Sequence, residues 1–314
     1  MSLKNLTRRQ FIASSSAAVC GSALLSSCSS STASVPTSVD QVTLGKSGMK
    51  CSRLGFGTGS VNSGTIQMAL GQEEFNTLIH YAYDQGVTYF DTSVGYRTAP
   101  WIPGAIKGLP REKLFIQSKL ERNTQNPAQA IEDLRKALNL DYIDSVLVHG
   151  ASAANWPEEC KALMDALSEA KQKKTILAHG VSYHGIPAQQ VGATMDWIDI
   201  NLIRYNPQGV YMDPVSTEQG AQSDASSVPV VEEQIKAMRA RGQGILGMKI
   251  FGEGRLVEAK DHERSIKYSM QSGMMDAIVI GFKSAEEVDE AIWRMNRALA
   301  QLHAEARSRQ AVLA

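Results

Sequence analysis

Four residues of types that transfer protons follow apolar stretches of the sequence. Asp91 ends one such stretch and Tyr96 comes five residues later, while Lys119 and His149 end two further stretches. Each residue alone has an ordinary structural explanation, such as a lysine that reaches solvent or a histidine satisfied within the fold. An ionisable group that ends a buried strand nevertheless costs free energy unless it is paired. Because these groups recur at the ends of successive strands, we predict that they share one catalytic site.

Eight apolar stretches of strand length alternate with amphipathic stretches of helical spacing. In one of the latter, Phe75, Leu78, Ile79 and Ala82 fall on a single helical face. This alternation predicts a parallel sheet, and a closed (β/α)8 barrel is favoured over an open doubly wound sheet at this chain length. The glycine-rich segment 55–59 also lacks the third spaced glycine of the dinucleotide fingerprint of open sheets. The predicted strands are Arg53–Gly57, Thr88–Asp91, Leu114–Lys119, Ile143–His149, Ile176–Ser182, Trp197–Ile203, Gly244–Ile250 and Ala277–Ile280.

The segment Gly86–Tyr96 resembles a signature of the aldo-keto reductase family. It matches the pattern Gly-x-x-x-x-Asp-Thr-x-x-x-Tyr, with Asp91 and Tyr96 at the Asp and Tyr positions. The segment 44–59, which contains a Gly-Lys-Ser-Gly turn, is similar to the β-hairpin and first strand that open this family. The resemblance covers about residues 42–295 and implies a TIM barrel with an N-terminal hairpin. Two shorter motifs agree with it, at residues 180–182 and 205–207.

The resemblance implies an oxidoreductase that interconverts a carbonyl (aldehyde, ketone or sugar) and an alcohol with NAD(P) as cofactor. Tyr96 would donate the proton, and because a free phenol has a pKa of ~10, a nearby cation is expected to lower that pKa. Lys119 would supply this charge, with Asp91 holding the ammonium in place. His149 would donate a hydrogen bond to the substrate oxygen.

Several positions of the implied nucleotide site depart from the family pattern. Tyr183 stands where the family has an asparagine, and Met248 replaces a stacking aromatic residue. Leu202 falls near a family glutamine, with Asn201 beside it. Glu287 takes the place of an arginine that binds a 2′-phosphate in many relatives; it could instead meet a ribose diol or complement a helix N-terminus, so NAD and NADP both stay open. The residues predicted to bind NAD(P) are Gly57, Thr58, Ser182, Asn201, Met248, Lys249, Gly252, Gly281, Lys283, Ser284 and Glu287.

The segment Tyr205–Val228 is expected to form a long connection on the catalytic side of the barrel. It is rich in Pro, Gly, Ser and Gln, and connections of this length in compact domains are usually lids or disordered excursions. We expect it to cover the cofactor or a small carbonyl or alcohol substrate. Trp101, His184 and Tyr211 are the predicted substrate-binding residues.

Residues 1–28 have the features of a twin-arginine export signal. The pair Arg8-Arg9 precedes a weakly apolar stretch that is too short and too rich in small residues to span a bilayer. The residues before Cys28 resemble a lipobox, which would acylate Cys28 and attach the protein to a membrane through lipid alone. The alternative is a frayed N-terminal helix on a cytosolic protein.

The expected organisation is a signal at 1–28, a polar linker at 29–41 and a barrel domain at 42–314. The chain would then be a partner of the twin-arginine export machinery and would work in the periplasm or cell envelope. That route carries folded proteins, and free nicotinamide nucleotides are scarce outside the cytoplasm. The nucleotide would therefore leave the cytoplasm tightly bound.

Composition argues against several other classes of protein. The formal net charge is zero, so no basic surface for nucleic acid is predicted. Cys51 and Cys160 are the only cysteines of the predicted domain; we expect two thiols rather than a bridge, and no cysteine metal site. Two alternative functions stay open. One is an anchored binding barrel with weak or lost catalysis, and the other is a metal-dependent isomerase or lyase.

Overall fold

The described residues of the chain form one barrel unit. A computed structural model describes residues 34–214, 224–271 and 273–313. The predicted signal with Cys28, the first part of the predicted linker and residues 215–223 of the predicted lid lie outside the described residues. The compact unit spans Val35–Ala314. Its first residues pack closely, since Ser38 is buried and its backbone N–H donates to Oδ1 of Asn296 at 2.7 Å.

Eight parallel strands close into a barrel, because the last strand pairs with the first. The predicted strand positions are confirmed, with ends that differ by three residues or fewer. An antiparallel hairpin precedes the barrel, as predicted. The hairpin strands are β1 (Gln41–Thr43) and β2 (Lys50–Ser52), and the barrel strands are β3 (Leu54–Gly57), β4 (Tyr89–Asp91), β5 (Phe115–Glu121), β6 (Ile143–Ala151), β7 (Ile176–Tyr183), β8 (Ile200–Arg204), β9 (Gly244–Met248) and β10 (Ala277–Ile280).

Helices connect the strands and cover the outside of the barrel. The predicted apolar face of the second helix is buried, through Phe75, Leu78, Ile79 and Ala82. Within the described residues, no helix is both long and apolar enough to cross a bilayer. The helices are α1 (Thr65–Met68), α2 (Gln72–Asp84), α3 (Ile102–Ala105), α4 (Pro127–Ala137), α5 (Trp156–Glu159), α6 (Lys161–Gln172), α7 (Ile186–Gly192), α8 (Ser227–Ala240), α9 (Ala259–Gln271) and α10 (Ala285–Leu313).

Side chains alternate between two apolar cores along each strand, because successive residues point to opposite faces. One core fills the barrel interior with residues such as Tyr89, Phe115 and Leu246. The larger core lies between the strands and the helices. The hairpin residues Leu44 and Cys51 join the interior core, so the hairpin closes the N-terminal end of the barrel. Catalytic groups must therefore lie at the opposite end.

Candidate active site

Asp91 and Lys119 form a buried ion pair at the C-terminal end of the barrel. Asp91 ends β4, and Lys119 lies on the neighbouring strand β5 and is fully buried. The Lys119 ammonium lies 2.8 Å from both Asp91 carboxylate oxygens and donates to the Thr92 carbonyl at 2.8 Å. The Gln117 amide also donates to Asp91, at 2.9 Å. Burial lowers the pKa of Lys119, and the Asp91 charge opposes that effect.

The Tyr96 hydroxyl lies beside this pair, 3.4 Å from the Lys119 nitrogen. Its ring packs directly on Gly59, where an added Cβ would lie 2.3 Å from a ring carbon. The Lys119 charge that was expected to lower the phenol pKa is paired with Asp91 at 2.8 Å. Burial instead raises the pKa of Tyr96 well above its ordinary value, and the carboxylates of Asp91 and Glu253 add to the rise. The phenol is thus held protonated.

His149 lies on β6 and completes the predicted group of four. The rings of His149 and Tyr96 lie 6.1 Å apart between centroids, at 79°. Nδ1 of His149 lies 2.8 Å from a Glu121 carboxylate oxygen and 3.3 Å from the Ser93 hydroxyl. The hydrogen bond with His149 lowers the pKa of Glu121. The structure therefore brings all four predicted catalytic residues together at one end of the barrel.

A cleft of about 370 Å³ opens beside Tyr96. Its walls come from the segments that follow β3, β9 and β10. Asp91 and Tyr96 line it, as do Lys283, just before α10, and Glu287 and Arg294 in the first three turns of that helix. Of the predicted nucleotide-binding residues, those that line the cleft are Gly57, Met248, Lys249, Gly281, Lys283 and Glu287.

The strong bases that line the cleft are all ion-paired with carboxylates of this chain. Lys249 pairs with Glu253. The Lys283 ammonium lies 3.5 Å from Glu287, and Arg294 binds Glu290 at 2.6 Å. Glu287 also accepts the backbone N–H of Lys283 at 2.9 Å. The cleft thus offers little uncompensated positive charge within the described residues.

Ser182 faces the barrel interior, in register with His149 on one side and Leu202 on the other. Its hydroxyl is buried and has no hydrogen-bond partner among the described residues. A buried polar group without a partner is costly in a protein alone, so it fits a site that a polar ligand completes. Leu202 has no polar side-chain atom. The side-chain amide of the glutamine that relatives have near this position therefore has no counterpart in the barrel interior.

Two residues predicted to contact the nucleotide have their polar side-chain atoms hydrogen-bonded within the fold. Asn201 points to the outer side of β8, where it accepts from the Tyr183 hydroxyl at 3.0 Å and donates to Gln243 at 2.9 Å. Thr58 is fully buried, and its hydroxyl donates to the Asp91 carbonyl at 3.0 Å. It fixes the backbone of Asp91 instead of facing the cleft.

Two other predicted residues support the cleft from behind. Gly252 is buried against Val210, where an added Cβ would lie 2.6 Å from a side-chain carbon. Ser284 precedes α10, and its hydroxyl lies 3.4 Å from the Glu287 backbone N–H, as an N-cap does. These positions shape the loop and the helix start without lining the cleft.

The three residues predicted to bind substrate lie in different places in the structure. His184 lies next to His149, with ring centroids 5.7 Å apart. Tyr211 lies under three cations, with Arg204 at 5.0 Å, Lys249 at 5.8 Å and Arg255 at 4.4 Å from its ring centroid. Trp101 lies elsewhere, since its ring packs on Phe75 of α2 at 5.6 Å, against the outer core.

Several residues that build the site were not predicted. Gln117 and Glu121 support Asp91 and His149 from the same strand as Lys119, and their two-residue spacing places all three on one face. That spacing was the available signal. Arg204 is buried at the end of β8, 3.1 Å from the buried Asp213, whose pKa burial raises to about 6.

The described residues hold no cluster of three His, Cys, Asp or Glu side chains placed to bind a metal ion. Cys51 and Cys160 are both buried free thiols, as expected.

This chain is similar in sequence to two proteins that are named as reductases. The chain is 28% identical to the "Probable aldo-keto reductase 1" of Glycine max over 179 residues, which are 49% of this chain and 51% of that protein. It is 37% identical to methylglyoxal reductase DkgA of Escherichia coli O157:H7 over 99 residues, 29% of this chain and 34% of that protein. The matches thus span about half or less of these relatives.

The fold extends the similarity over most of the barrel. The structure of an aldo-keto reductase from Bacillus halodurans in its holo form superimposes with a TM-score of 0.63 at 16% identity, covering 84% of this chain and 96% of the other. A sequence model of the family described as "Aldo/keto reductase family" matches residues 53–305. This chain therefore belongs to the aldo/keto reductase family.

Proposed function

We propose that this chain is a nicotinamide-dependent reductase of small aldehydes or ketones, with Tyr96 as the proton donor. One observation carries the proposal. The buried Asp91–Lys119 pair lies beside the Tyr96 hydroxyl, and both Asp91 and Tyr96 line the large cleft. A buried ion pair contributes little to the stability of a fold, because removing two charges from water costs free energy. A pair that also contacts a phenol in the wall of a cleft is therefore better explained by a role in the reaction.

The proton-transfer half of the reaction follows from this geometry. Tyr96 holds its proton at rest, because its pKa is raised. As the proton leaves for the substrate oxygen, Lys119 at 3.4 Å stabilises the phenolate that forms. Asp91 keeps the ammonium in position through contacts of 2.8 Å. General acid catalysis of this kind contributes about 10²–10⁴-fold to a rate.

Residues of this chain fit a nicotinamide nucleotide. The unpartnered Ser182 hydroxyl suits the carboxamide, and Met248 on the cleft wall offers an apolar, adaptable surface for the ring. A bound reduced nicotinamide would supply a hydride to the carbonyl carbon. Tyr96 would then give the proton that completes the alcohol, and solvent would restore the proton of the phenol.

We propose that the cleft prefers NAD(H) to NADP(H). The 2′-phosphate of NADP adds negative charge, which an unpaired base would have to meet. Lys283, just before α10, and Arg294, in the third turn of that helix, are already paired with Glu287 and Glu290. Displacing a carboxylate from either base costs binding energy, whereas a ribose diol can donate hydrogen bonds to Glu287. We expect at least a tenfold weaker affinity for NADPH than for NADH, about 1.4 kcal/mol.

A small carbonyl compound is the proposed substrate class. The relative from Escherichia coli is named a methylglyoxal reductase, and the substrate side of this site is polar around His149 and His184. Both features favour a short, oxygen-rich aldehyde or ketone. Methylglyoxal is therefore the first substrate to test, beside a simple sugar.

The N-terminal sequence supports a proposal about location. We propose that residues 1–28 direct export through the twin-arginine machinery and that Cys28 is acylated, which places the barrel in the periplasm or cell envelope. In that setting the nucleotide would stay bound and be recycled by alternating substrates. Protein isolated from the envelope should then contain nucleotide, identified by mass, whereas its absence together with rapid exchange of added nucleotide would contradict tight retention.

Replacing Tyr96 by phenylalanine tests the proposed reaction. Tyr96→Phe should lower kcat for methylglyoxal reduction by at least about 10²-fold and leave the Kd for NADH within threefold. Tyr81→Phe is the matched control, since Tyr81 is a half-buried tyrosine whose hydroxyl donates a hydrogen bond to Asp289. Undiminished turnover by Tyr96→Phe would overturn the assignment. A wild-type protein that binds neither NADH nor NADPH would favour the anchored binding barrel.

A further inference from the structure

Glu121 makes the closest polar contact of His149, the imidazole predicted to donate a hydrogen bond to the substrate oxygen. It ends β5 and pairs in register with His149 on β6. Its carboxylate oxygen lies 2.8 Å from Nδ1 of His149, and the Ser93 hydroxyl lies 3.3 Å from the same nitrogen. Nε2 of His149 has no hydrogen bond within the described part of the chain. One nitrogen is thus held by the protein, and the other is left to a ligand.

The carboxylate fixes which nitrogen of His149 carries a proton. The hydrogen bond with His149 lowers the pKa of Glu121, so the carboxylate is ionised at neutral pH. An ionised carboxylate only accepts hydrogen bonds, and Nδ1 must therefore be the donor. A neutral His149 then has a bare Nε2, which can accept a hydrogen bond but cannot donate one.

A donor at Nε2 consequently requires the doubly protonated ring. A carbonyl oxygen, or the alkoxide that forms from it, needs a donor. An alcohol hydroxyl can donate to the bare nitrogen of the neutral ring. The two protonation states of His149 thus suit the two directions of a carbonyl–alcohol reaction.

The other groups that face His149 do not compete for this role. Tyr96, from the segment after β4, holds its own proton. His184, from the segment after β7, lies 5.7 Å away, and burial lowers its pKa well below the ordinary value. It is therefore neutral near pH 7. Lys119 and Arg122 act on Glu121 and help to keep it ionised.

We propose that Glu121 is a positioning residue that makes Nδ1 of His149 a donor within the protein and so leaves Nε2 to the substrate oxygen. This inference rests on the proposed reductase function. Its consequence is that the imidazole meets the substrate in one orientation and through one nitrogen.

The protonation of His149 can be read without any catalysis. Full-length protein labelled with 15N-histidine should show neutral His149 protonated at Nδ1, with the signal assigned by its loss in His149→Gln. Glu121→Gln keeps a hydrogen-bonding side chain but removes the charge, and it should show a mixture with the Nε2-protonated form. Glu159→Gln is the matched control, because Glu159 has nearly the same exposure (47% against 49%) and pairs with Arg122 instead.

The same variants give a kinetic test. For reduction, Glu121→Gln should lower kcat/KM about tenfold, the effect of one hydrogen bond that positions the imidazole. Glu159→Gln should behave as wild type. An unchanged tautomer or an unchanged kcat/KM in Glu121→Gln would overturn the proposal. If the wild type reduces no carbonyl, the proposed function fails, and the NMR result still decides the role of Glu121.

Discussion

Adding one methyl group to Gly59 should misplace the proton donor. An alanine Cβ at this position would lie 2.3, 2.4 and 2.6 Å from three Tyr96 ring carbons, whereas ordinary contacts lie at 3.4–4 Å. The Tyr96 ring must therefore move by about 1 Å, and a misplacement of that size costs about 10²-fold in rate. Overpacking of this kind also destabilises by about 1–3 kcal/mol, which leaves a folded protein.

The assay for Gly59→Ala follows nucleotide absorbance during methylglyoxal reduction, with urea unfolding in parallel. We expect kcat to fall about 100-fold, while the Kd for NADH changes less than threefold. Gly104→Ala is the control, because its Cβ would lie no closer than 3.3 Å, to the flexible end of Gln72. If Gly59→Ala folds and keeps kcat within threefold of wild type, the position of Tyr96 does not limit the reaction and its assignment as donor fails.

Three further outcomes follow from contacts already described. Ser182→Ala should weaken NADH binding about tenfold in calorimetry, the effect of one hydrogen bond, without destabilising the nucleotide-free protein; an unchanged Kd would remove Ser182 from the site. Lys119→Met leaves Asp91 buried without its cation and should lower the free energy of unfolding by about 3–5 kcal/mol, and adding Asp91→Asn should recover part of the loss. Burial lowers the pKa of His179 to about 4, so the folded protein binds its proton less readily than the unfolded chain does. The contribution of neutral His179 to the free energy of unfolding is fully present above about pH 6.5. It is lost as the pH falls toward 4, by up to about 3 kcal/mol. His179→Gln should flatten the pH dependence of urea unfolding across that range, and an unaltered slope would contradict this reasoning.

The strand pattern was predictable because it depends on local sequence. Each barrel strand is a short apolar run between two amphipathic helical stretches. This alternation is visible in the sequence and is the same in any parallel barrel. Placing Asp91, Lys119 and His149 at one end also required only the rule that parallel strands share a direction. The four-residue site could therefore be predicted without coordinates.

The direction of individual side chains was harder to predict, because a shift of one residue turns a strand side chain to the opposite face. Asn201 and Leu202 illustrate this, since the polar residue points outward and the apolar one faces the interior. Trp101 follows the donor loop, and only the packing of α2 shows that its ring turns away from the site. The electrostatics of Tyr96 likewise depend on how completely Asp91 neutralises Lys119.

The hairpin that closes one end of the barrel also determines which end of the protein can be attached to a surface without blocking the cleft. Ser38 accepts the backbone N–H of Leu54 at the start of β3, at 2.7 Å, so the chain enters the fold at the closed end. The cleft and Tyr96 lie at the other end. A surface or bead coupled at the exposed Val35 would therefore hold the closed end of the barrel and leave the cleft facing solution. Immobilised in that orientation, the enzyme should turn over substrates as freely as it does in suspension.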